Sequence, residues 1–244
     1  MADTSGRVAV ITGASRGLGA GMAQFFLSRG MRIAVCARTR PPFGDDDRSL
    51  TRALDVTDHA AVASFCAETV DRFARIDLWI NNAGLLAPIG PLRDNDPADL
   101  ARHIAVNVVG TFHGCQAFIQ HLHERGGEGI LINISSGAAR NAYAGWSAYC
   151  SGKAAVDRMS ESIALEEADY GLRVHAVAPG VIDTEMQSMI RQCDPSQFPQ
   201  VQKFQDLKDK DNFSTPEFVA EGILRLCFDP AYRKDDVLVS LPRP

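Results

Sequence analysis

The sequence predicts a single-domain α/β fold: a doubly wound, seven-stranded parallel sheet with helices on both faces. Short apolar runs alternate along the chain with longer stretches of helical periodicity, as a parallel sheet with crossover helices requires. A glycine-rich loop follows the first apolar run directly. The chain has 244 residues, of which 45% are hydrophobic, so it can bury one large core without dividing into domains.

The boundaries of the elements follow from this alternation. Strands are predicted near 7–12, 32–37, 51–55, 76–81, 129–135, 172–178 and 236–240, and helices near 17–29, 58–73, 97–124, 148–169 and 216–228. Residues 41–47 form a turn-rich loop, and residues 183–214 form an insertion of mixed polarity. Loops as long as the insertion often act as lids over a site, and we expect this one to cover a substrate.

A nucleotide-binding loop is predicted at the first strand-to-helix turn. The apolar run Arg7–Thr12 leads into the glycine-rich segment Thr12–Gly19 and then into a helical stretch. Glycine lets the backbone approach a phosphate, and the N–H groups at a helix N-terminus bind the anion. The spacing is G-x-x-x-G-x-G, which differs from the G-x-G-x-x-G fingerprint. A plain tight turn is the alternative, and the position directly after the first strand favours the nucleotide.

Tyr149 and Lys153 are the candidate acid–base pair. They are four residues apart in a predicted helix, which places them on one face. A free phenol has a pKa of about 10 and transfers protons poorly at neutral pH. A neighbouring ammonium favours the phenolate, so Lys153 is expected to lower that pKa. Tyrosine and lysine also occur at this spacing as ordinary neighbours on a helix surface. A catalytic role for this pair is therefore indicated only together with motifs elsewhere in the chain.

These features together resemble the short-chain dehydrogenase/reductase family, whose members share the Rossmann fold. Thr12–Gly19 looks like the family's T-G-x-x-x-G-x-G loop, Asn81–Gly84 matches its N-N-A-G element, and Pro179–Gly180 matches the turn after its sixth strand. The family's catalytic tetrad is matched by Asn107, Ser136, Tyr149 and Lys153. The resemblance runs in order from about residue 7 to residue 228.

The resemblance implies a bound nicotinamide cofactor. The residues that would hold it belong to the matching motifs and to the ends of the neighbouring strands: Gly13, Ser15, Arg16, Gly17, Leu18, Gly19, Arg38, Asp55, Val56, Asn82, Ala83, Gly84, Tyr149, Lys153, Pro179, Gly180, Val181, Ile182 and Thr184. Asp55 fits the position that contacts adenine. The segment Asn82–Gly84 should pass beside the adenine ribose.

The charges near the second strand predict NADPH as the cofactor. A carboxylate at the end of this strand holds the ribose 2′-hydroxyl of NAD, whereas the 2′-phosphate of NADP needs cations. Val35–Arg40 contains no acid, and Arg16 lies in the glycine loop. We expect Arg16 and Arg38 to converge on the phosphate. The alternative is that Arg38 and Arg40 are solvated loop charges.

The resemblance also implies a role for each member of the tetrad in carbonyl reduction. Tyr149 would donate a proton to the carbonyl oxygen, and Ser136 would hydrogen-bond the same oxygen. Lys153 would bind the ribose hydroxyls and lower the pKa of the phenol. Asn107 would hold a water that links Lys153 to solvent. The alternative for Asn107 is a buried side chain that only caps a kink.

Within the family, the second half of the chain resembles sepiapterin reductases and, more closely, bacterial benzil reductases. The matching segments are Ser136–Asn141, Gly145–Asp157, Ala164–Glu167 and Ala178–Gln187. Both groups reduce one carbonyl of a vicinal dicarbonyl or an α-hydroxy ketone with NADPH, so a small-molecule carbonyl substrate is implied. Sepiapterin reductases hold the pterin with an aspartate near the chain end. The end of this chain, Val237–Pro244, has no acid, which favours an apolar diketone.

The sequence does not decide which residues form the substrate pocket, and it leaves three alternative functions. Five residues could wall an aromatic pocket or belong to the core: Leu86, Trp146, Met186, Met189 and Phe198. The alternatives are a 3-oxoacyl reductase, an oxidative alcohol dehydrogenase and a catalytically silent NADPH-binding sensor. An acyl-carrier substrate would require a basic entrance, for which the candidates are Arg191, Lys203, Lys208 and Lys210. The complete tetrad argues against the sensor.

Composition limits partners and location. The formal net charge of −5 gives no basic footprint, so no nucleic-acid partner is expected. No apolar run approaches the roughly 20 residues that cross a bilayer, and the N-terminus lacks the regions of a signal peptide. Six cysteines are scattered without metal-like spacing, which predicts a cytoplasmic enzyme without a metal. The resemblance implies a homodimer through the helices at 97–124 and 148–169, with an apolar stripe of Ala154, Ala155, Met159, Ile163 and Leu165.

Overall fold

The fold is a parallel sheet of seven strands in the order β3-β2-β1-β4-β5-β6-β7. A computed structural model describes residues 4–209 and 213–242. The strands are β1 (Val8–Thr12), β2 (Arg32–Ala37), β3 (Ser49–Ala53), β4 (Leu78–Asn81), β5 (Gly129–Ile134), β6 (Leu172–Ala178) and β7 (Leu238–Ser240). The predicted doubly wound sheet is thereby confirmed. Its order reverses between β1 and β4, which is where open sheets of this kind bind ligands.

Eight α-helices connect the described strands or cover their ends. They are α1 (Gly17–Ser28), α2 (His59–Phe73), α3 (Pro97–Ile104), α4 (Gly110–Arg125), α5 (Ser147–Glu166), α6 (Glu185–Arg191), α7 (Val201–Asp209) and α8 (Pro216–Phe228). Several begin at capping residues that the sequence already displays. Asp58 accepts a hydrogen bond from the Ala61 N–H at 3.0 Å, and Thr215 accepts one from the Phe218 N–H at 3.1 Å.

Two hydrophobic layers lie on opposite faces of the sheet, because successive side chains of a strand point to opposite sides. On one face Met22 and Phe26 of α1 pack with Ile223 of α8. On the other face Phe118 of α4 stacks on Trp79 of β4, with ring centroids 6.1 Å apart. All five of these side chains are buried, so both faces of the sheet are covered. No helix among residues 4–209 and 213–242 is long and apolar enough to cross a membrane.

Three predicted boundaries are wrong in detail. The third strand begins and ends two residues earlier than expected, because Asp55 turns away and accepts hydrogen bonds from Thr57. The predicted helix over 97–124 is divided by a π-helical segment, Ala105–Val109. The insertion is more regular than expected, since it holds α6 and α7, which contact each other. Residues 210–212 of this insertion, including the candidate cation Lys210, lie outside the described residues.

Candidate active site

A cleft of about 1330 Å³ opens at the carboxyl ends of the strands. Its walls include all nineteen predicted cofactor residues, from Gly13 in the first loop to Thr184 before α6. Ser136 also lines the cleft, next to Tyr149 and Lys153. Asn107, the fourth member of the predicted tetrad, is 1% exposed and lies behind the wall. The structure therefore collects the sequence motifs at one place and puts Asn107 in a supporting position.

The floor of the cleft is a tightly packed glycine loop. Gly13 has a φ of +69°, and a Cβ there would lie 2.7 Å from the Ala83 Cα atom. The loop leads into the N-terminus of α1, whose N-cap residue Arg16 makes no side-chain cap with any described residue. Backbone N–H groups at such a terminus can bind a phosphate. The bare backbone and the helix end fit the pyrophosphate of a dinucleotide.

Side chains at the end of β1 and directly after β4 hold this floor in place. The Thr12 hydroxyl accepts hydrogen bonds from the N–H groups of Asn82 and Ala83, at 3.0 and 3.1 Å. The Asn82 amide donates to the carbonyls of Thr12 and Gly13, at 2.9 and 3.1 Å. The N-N-A-G element is thus bonded to the glycine loop across neighbouring strands. The N-N-A-G element therefore contributes largely by keeping the floor of the cleft rigid.

The Tyr149 phenol lies at the inner end of the cleft. It is 8% exposed, hydrogen-bonds Ser136, and packs against the Trp146 ring at a centroid distance of 5.5 Å. Burial raises the pKa of the phenol, and the hydrogen bond with Ser136 only partly opposes this. The prediction of a lowered pKa is therefore wrong for this structure. The Lys153 Nζ lies 5.9 Å from the centre of the phenol ring.

Lys153 is a buried cation. Its Nζ donates to the Ile134 carbonyl oxygen at 2.6 Å, and the residue is 7% exposed. Burial lowers the pKa of the ammonium to about 8, while the carboxylate of Asp157 acts in the opposite direction. Burial also raises the pKa of Asp157, which accepts a hydrogen bond from Ser135. The tyrosine and the lysine share one helical face as predicted, each in an environment that disfavours its charged form.

Asn107 is held by its own network in the π segment. Its side-chain oxygen accepts from the Leu85 N–H at 2.7 Å, and its amide nitrogen donates to the Leu85 carbonyl at 2.8 Å. The amide nitrogen also donates its second hydrogen to His103 Nε2, with 2.9 Å between the two nitrogens. These partners use both donors and one lone pair of the side chain. The expected water link therefore cannot use the amide donors of Asn107.

The family model for the short chain dehydrogenase matches residues 7–194. This chain belongs to the short-chain dehydrogenase family. It is 33% identical over 225 residues to the benzil reductase ((S)-benzoin forming) of Bacillus subtilis (strain 168), covering 89% of this chain and 91% of the relative. The enzyme of the same name from Bacillus cereus is 30% identical over 95% of this chain and 98% of its own length. A crystal structure titled as the KRED1-Pglu enzyme superposes with a TM-score of 0.84, 32% identity and coverage of 91% and 94%.

The arginines of this short-chain dehydrogenase lie at the cleft or in ion pairs beside it. Arg16 lines the cleft and forms an ion pair with Glu185, the first residue of α6. Arg38 also lines the cleft, whereas Arg40 pairs with Asp45 at 3.1 Å. Sequence reasoning missed Glu185, because the approach of α6 to the glycine loop is a long-range contact. Arg16 and Arg38, the two cations predicted to meet the 2′-phosphate, thus both lie at the cleft.

The substrate end of the cleft is walled by an aromatic cluster. Trp146 lines the cleft, and its outer face stacks on Phe198 with centroids 4.5 Å apart and planes inclined by 9°. Phe198 is completely buried and belongs to the core behind this wall, so of the two alternatives left open for it the core is the one that holds. Leu86, Met186 and Met189 line the cleft as expected. This dehydrogenase therefore presents a partly aromatic surface beside the Tyr149 hydroxyl.

The candidate metal ligands of the chain are dispersed among the described residues. Within residues 4–209 and 213–242, no three His, Cys, Asp or Glu side chains are grouped as metal ligands would be. His121 and His123, which the sequence places two residues apart, illustrate this. His121 is buried with its Nε2 unpartnered among described residues, while His123 pairs with Glu167 at 2.6 Å.

Proposed function

We propose that this dehydrogenase is an NADPH-dependent carbonyl reductase acting on α-dicarbonyls such as benzil, or on related α-hydroxy ketones. The observation that carries the proposal is the position of Tyr149. Its phenol is hydrogen-bonded to Ser136 and packed against Trp146 at the inner end of a glycine-floored cleft. An acid, an oxyanion partner and an aromatic surface meet there, as reduction of an aryl ketone requires.

Each side chain has a defined task in this proposal. The reduced nicotinamide, when bound, supplies a hydride to the carbonyl carbon. Ser136 orients the carbonyl oxygen by a hydrogen bond, and Tyr149 gives that oxygen its proton. The Lys153 ammonium holds positive charge beside the phenol, which offsets the negative charge left on Tyr149. Asn107 keeps the cleft wall at Leu85 fixed through its two backbone hydrogen bonds.

The cofactor preference rests on charge. The family binds NAD or NADP, and the discriminating group is the 2′-phosphate of NADP. Arg16 and Arg38 both line the cleft, and residues 35–40 contain no carboxylate to hold a free 2′-hydroxyl. Guanidinium groups bind phosphate well because their donors are arranged as a planar fork. NADPH is therefore the proposed cofactor.

The lid region argues for a small ketone and against an acyl-carrier substrate. Asp183 accepts from Arg191 at 2.9 Å and from Lys208 at 2.6 Å, so two of the candidate entrance cations are engaged in ion pairs with one carboxylate. Lys203 packs its ammonium 5.5 Å from the centre of the Tyr143 ring. We propose that residues 183–209, with α6 and α7, cover the substrate as a lid.

We also propose a cytoplasmic homodimer. Leu165 on α5 is 82% exposed and Phe112 on α4 is 48% exposed, which leaves apolar surface on both helices of the expected interface. Ile163 does not belong to that stripe, because it is buried in the chain's own core. All six cysteines are free thiols, as suits a reducing compartment. Sedimentation at micromolar concentration measures the oligomeric state, and a pure monomer would contradict the dimer.

The experiment follows NADPH oxidation with benzil, diacetyl, sepiapterin, an acetoacetyl thioester and a simple aldehyde, each repeated with NADH. The expected result is fast turnover of the diketones with NADPH. Tyr149→Phe is expected to lower kcat at least about a hundredfold, within the range that positioned acids contribute, while NADPH still binds. Ser162→Ala, a change at an exposed residue on the same helix, is the control. Faster turnover of the thioester than of the diketones would refute the substrate class.

A further inference from the structure

His103 is a completely buried histidine at the end of α3, behind the candidate active site. Its Nδ1 lies 2.7 Å from the Ala87 carbonyl oxygen, and its Nε2 lies 2.9 Å from the amide nitrogen of Asn107. Its ring packs edge-on against the Tyr149 ring, with centroids 6.2 Å apart and planes inclined by 82°. The imidazole therefore contacts three parts of the site at once: the wall at Ala87, the π segment and α5.

The two nitrogens of His103 have fixed and opposite roles. A carbonyl oxygen can only accept, so Nδ1 carries the hydrogen and donates to Ala87. The Asn107 oxygen already accepts from the Leu85 N–H, so the amide nitrogen faces the imidazole and donates to Nε2. Only the neutral imidazole can donate at Nδ1 and accept at Nε2. The surrounding bonds thus select one tautomer and one charge state.

Helix α5 packs closely against the His103 ring because it has a glycine at the point of contact. Gly152 of α5 directly precedes Lys153, and a Cβ at Gly152 would lie 2.9 Å from His103 Nε2 and 3.3 Å from Cδ2. Glycine at this position lets the helix that carries Tyr149 and Lys153 approach the imidazole closely. The wall on the other side, Leu85–Ala87, lines the cleft and is held by Asn107 and His103 together. The imidazole is packed between the cleft wall and the catalytic helix.

We propose that His103 is a positioning residue of this reductase, whose neutral imidazole fixes the Asn107 amide and so holds the Leu85–Ala87 wall against the helix carrying Tyr149 and Lys153. The kinetic part of this inference rests on the proposed reductase function. The tautomer and the stability effects do not, because they follow from the hydrogen bonds alone.

Protonation of His103 would disassemble this arrangement. A hydrogen on Nε2 would point at the amide hydrogens of Asn107, and rotating that amide would break both of its bonds with Leu85. The new charge would also face the Lys153 ammonium of α5. The groups around the ring would not compensate this charge. Residues 85–87 have no ionisable side chain, and Tyr149 faces the ring as a phenol. Asp99 and Arg102, on the same helix as His103, are exposed to solvent. Burial, the largest cause, and Lys153 both lower the pKa of His103, whereas the hydrogen bond with Ala87 raises it.

The sign of the pH effect follows from that lowered pKa. Stability contributed by the neutral imidazole is fully present above the ordinary pKa of 6.5 and is lost as the pH falls towards the pKa of the folded protein. Activity is expected to fall over the acid part of the same range, because the wall and the catalytic helix separate. The loss should be reversible on returning to neutral pH.

Two substitutions of His103 test the roles of its two ring nitrogens separately. His103→Gln places an amide where Nε2 was and can keep an acceptor for Asn107, while His103→Asn places one where Nδ1 was and keeps the donor to Ala87. His103→Gln is expected to retain kcat within about threefold, and His103→Asn to lower it about tenfold, the equivalent of about 1.4 kcal/mol. The KM for NADPH should change little in both. His103→Gln should also remove the acid limb of kcat, because the glutamine side chain does not titrate.

Two further measurements do not depend on turnover. Nitrogen-15 spectra of the histidine rings should show a neutral His103 ring with its hydrogen on Nδ1, identified as the signal that disappears in both variants. His113 and His175 also place Nδ1 against a carbonyl oxygen, and their signals should remain. Urea unfolding from neutral to acid pH should show a loss of stability in the wild type that is smaller in His103→Gln. A His103 ring with its hydrogen on Nε2, an unchanged acid limb in His103→Gln, or equal kcat losses in the two variants would overturn the proposal. Inactivity of the wild type on every carbonyl, with the ring signal as described, would refute only the proposed function.

Discussion

Replacing Lys153 by methionine is expected to change how the stability of the protein depends on pH. Burial places the pKa of this ammonium at about 8 in the folded protein, against an ordinary value of 10.5. Between these two values the unfolded chain binds a proton at this position that the folded chain does not bind. Stability is therefore gained as the pH rises from about 8 towards 10.5, and is lost in the opposite direction.

The magnitude follows from the difference between the two pKa values. At about 1.4 kcal/mol for each pH unit, the interval from about 8 to 10.5 amounts to about 3 kcal/mol. The residue is 7% exposed, so solvent does not screen this effect away. Lys153→Met removes the titration and keeps an apolar stem of similar length in the same space. The advantage of the wild type over this variant should therefore grow by about 3 kcal/mol between neutral and strongly alkaline pH.

The assay is urea unfolding of both proteins at several pH values between about 7 and 10. Other lysines and tyrosines titrate in both proteins, so their contributions cancel in the difference. Lys234→Met, at an exposed position, serves as the matched control. A flat difference for Lys153→Met, or one that falls as the pH rises, would refute the burial argument.

Two further substitutions test the cleft and its support. Glu185→Gln frees Arg16 from an exposed ion pair worth about 0.2–1 kcal/mol, so we expect the KM for NADPH to fall by about 1.4- to 5-fold. The KM for NADH should stay the same, and an equal change with both cofactors would contradict this prediction. Gly114→Ala adds a Cβ 2.8 Å from Trp79 Nε1 and even closer to Asn81 Oδ1. Overpacking of this kind costs about 1–3 kcal/mol, and an unchanged urea midpoint would show that α4 can move aside.

The alternation of apolar runs and helical stretches predicts most of the fold, because it reflects which face of each element is buried. All seven strands were expected, and β2 and β6 have the predicted ends. The helices that sequence reasoning missed, α6 and α7, are only 7 and 9 residues long. Helices this short depend on tertiary contacts for their stability. For α6 and α7 those contacts come from the cluster around Trp146 and Phe198.

The residues that line the cleft were predicted from the sequence, but the contacts behind its wall were not. Local motifs identified the residues of the cleft, since each motif describes a backbone shape that its own residues produce. The π segment was missed because Asn107 and Leu85, which bond to each other, are 22 residues apart in sequence. His103 was also missed, although it precedes Asn107 by four residues and so shares its helical face. This four-residue spacing was the sequence feature that could have indicated the contact between His103 and Asn107.

The error about the Tyr149 pKa has a consequence for the direction of the reaction. Sequence spacing suggested an activated phenolate, because a cation four residues away favours the charged form. Burial acts on both groups and favours their neutral forms, raising the pKa of Tyr149 and lowering that of Lys153 to about 8. Near neutral pH the chain therefore presents a protonated phenol beside an ammonium that still carries most of its charge. A protonated phenol can donate to a carbonyl oxygen but cannot remove a proton from an alcohol. The resting state of these side chains thus supplies the proton donor that the proposed carbonyl reduction requires.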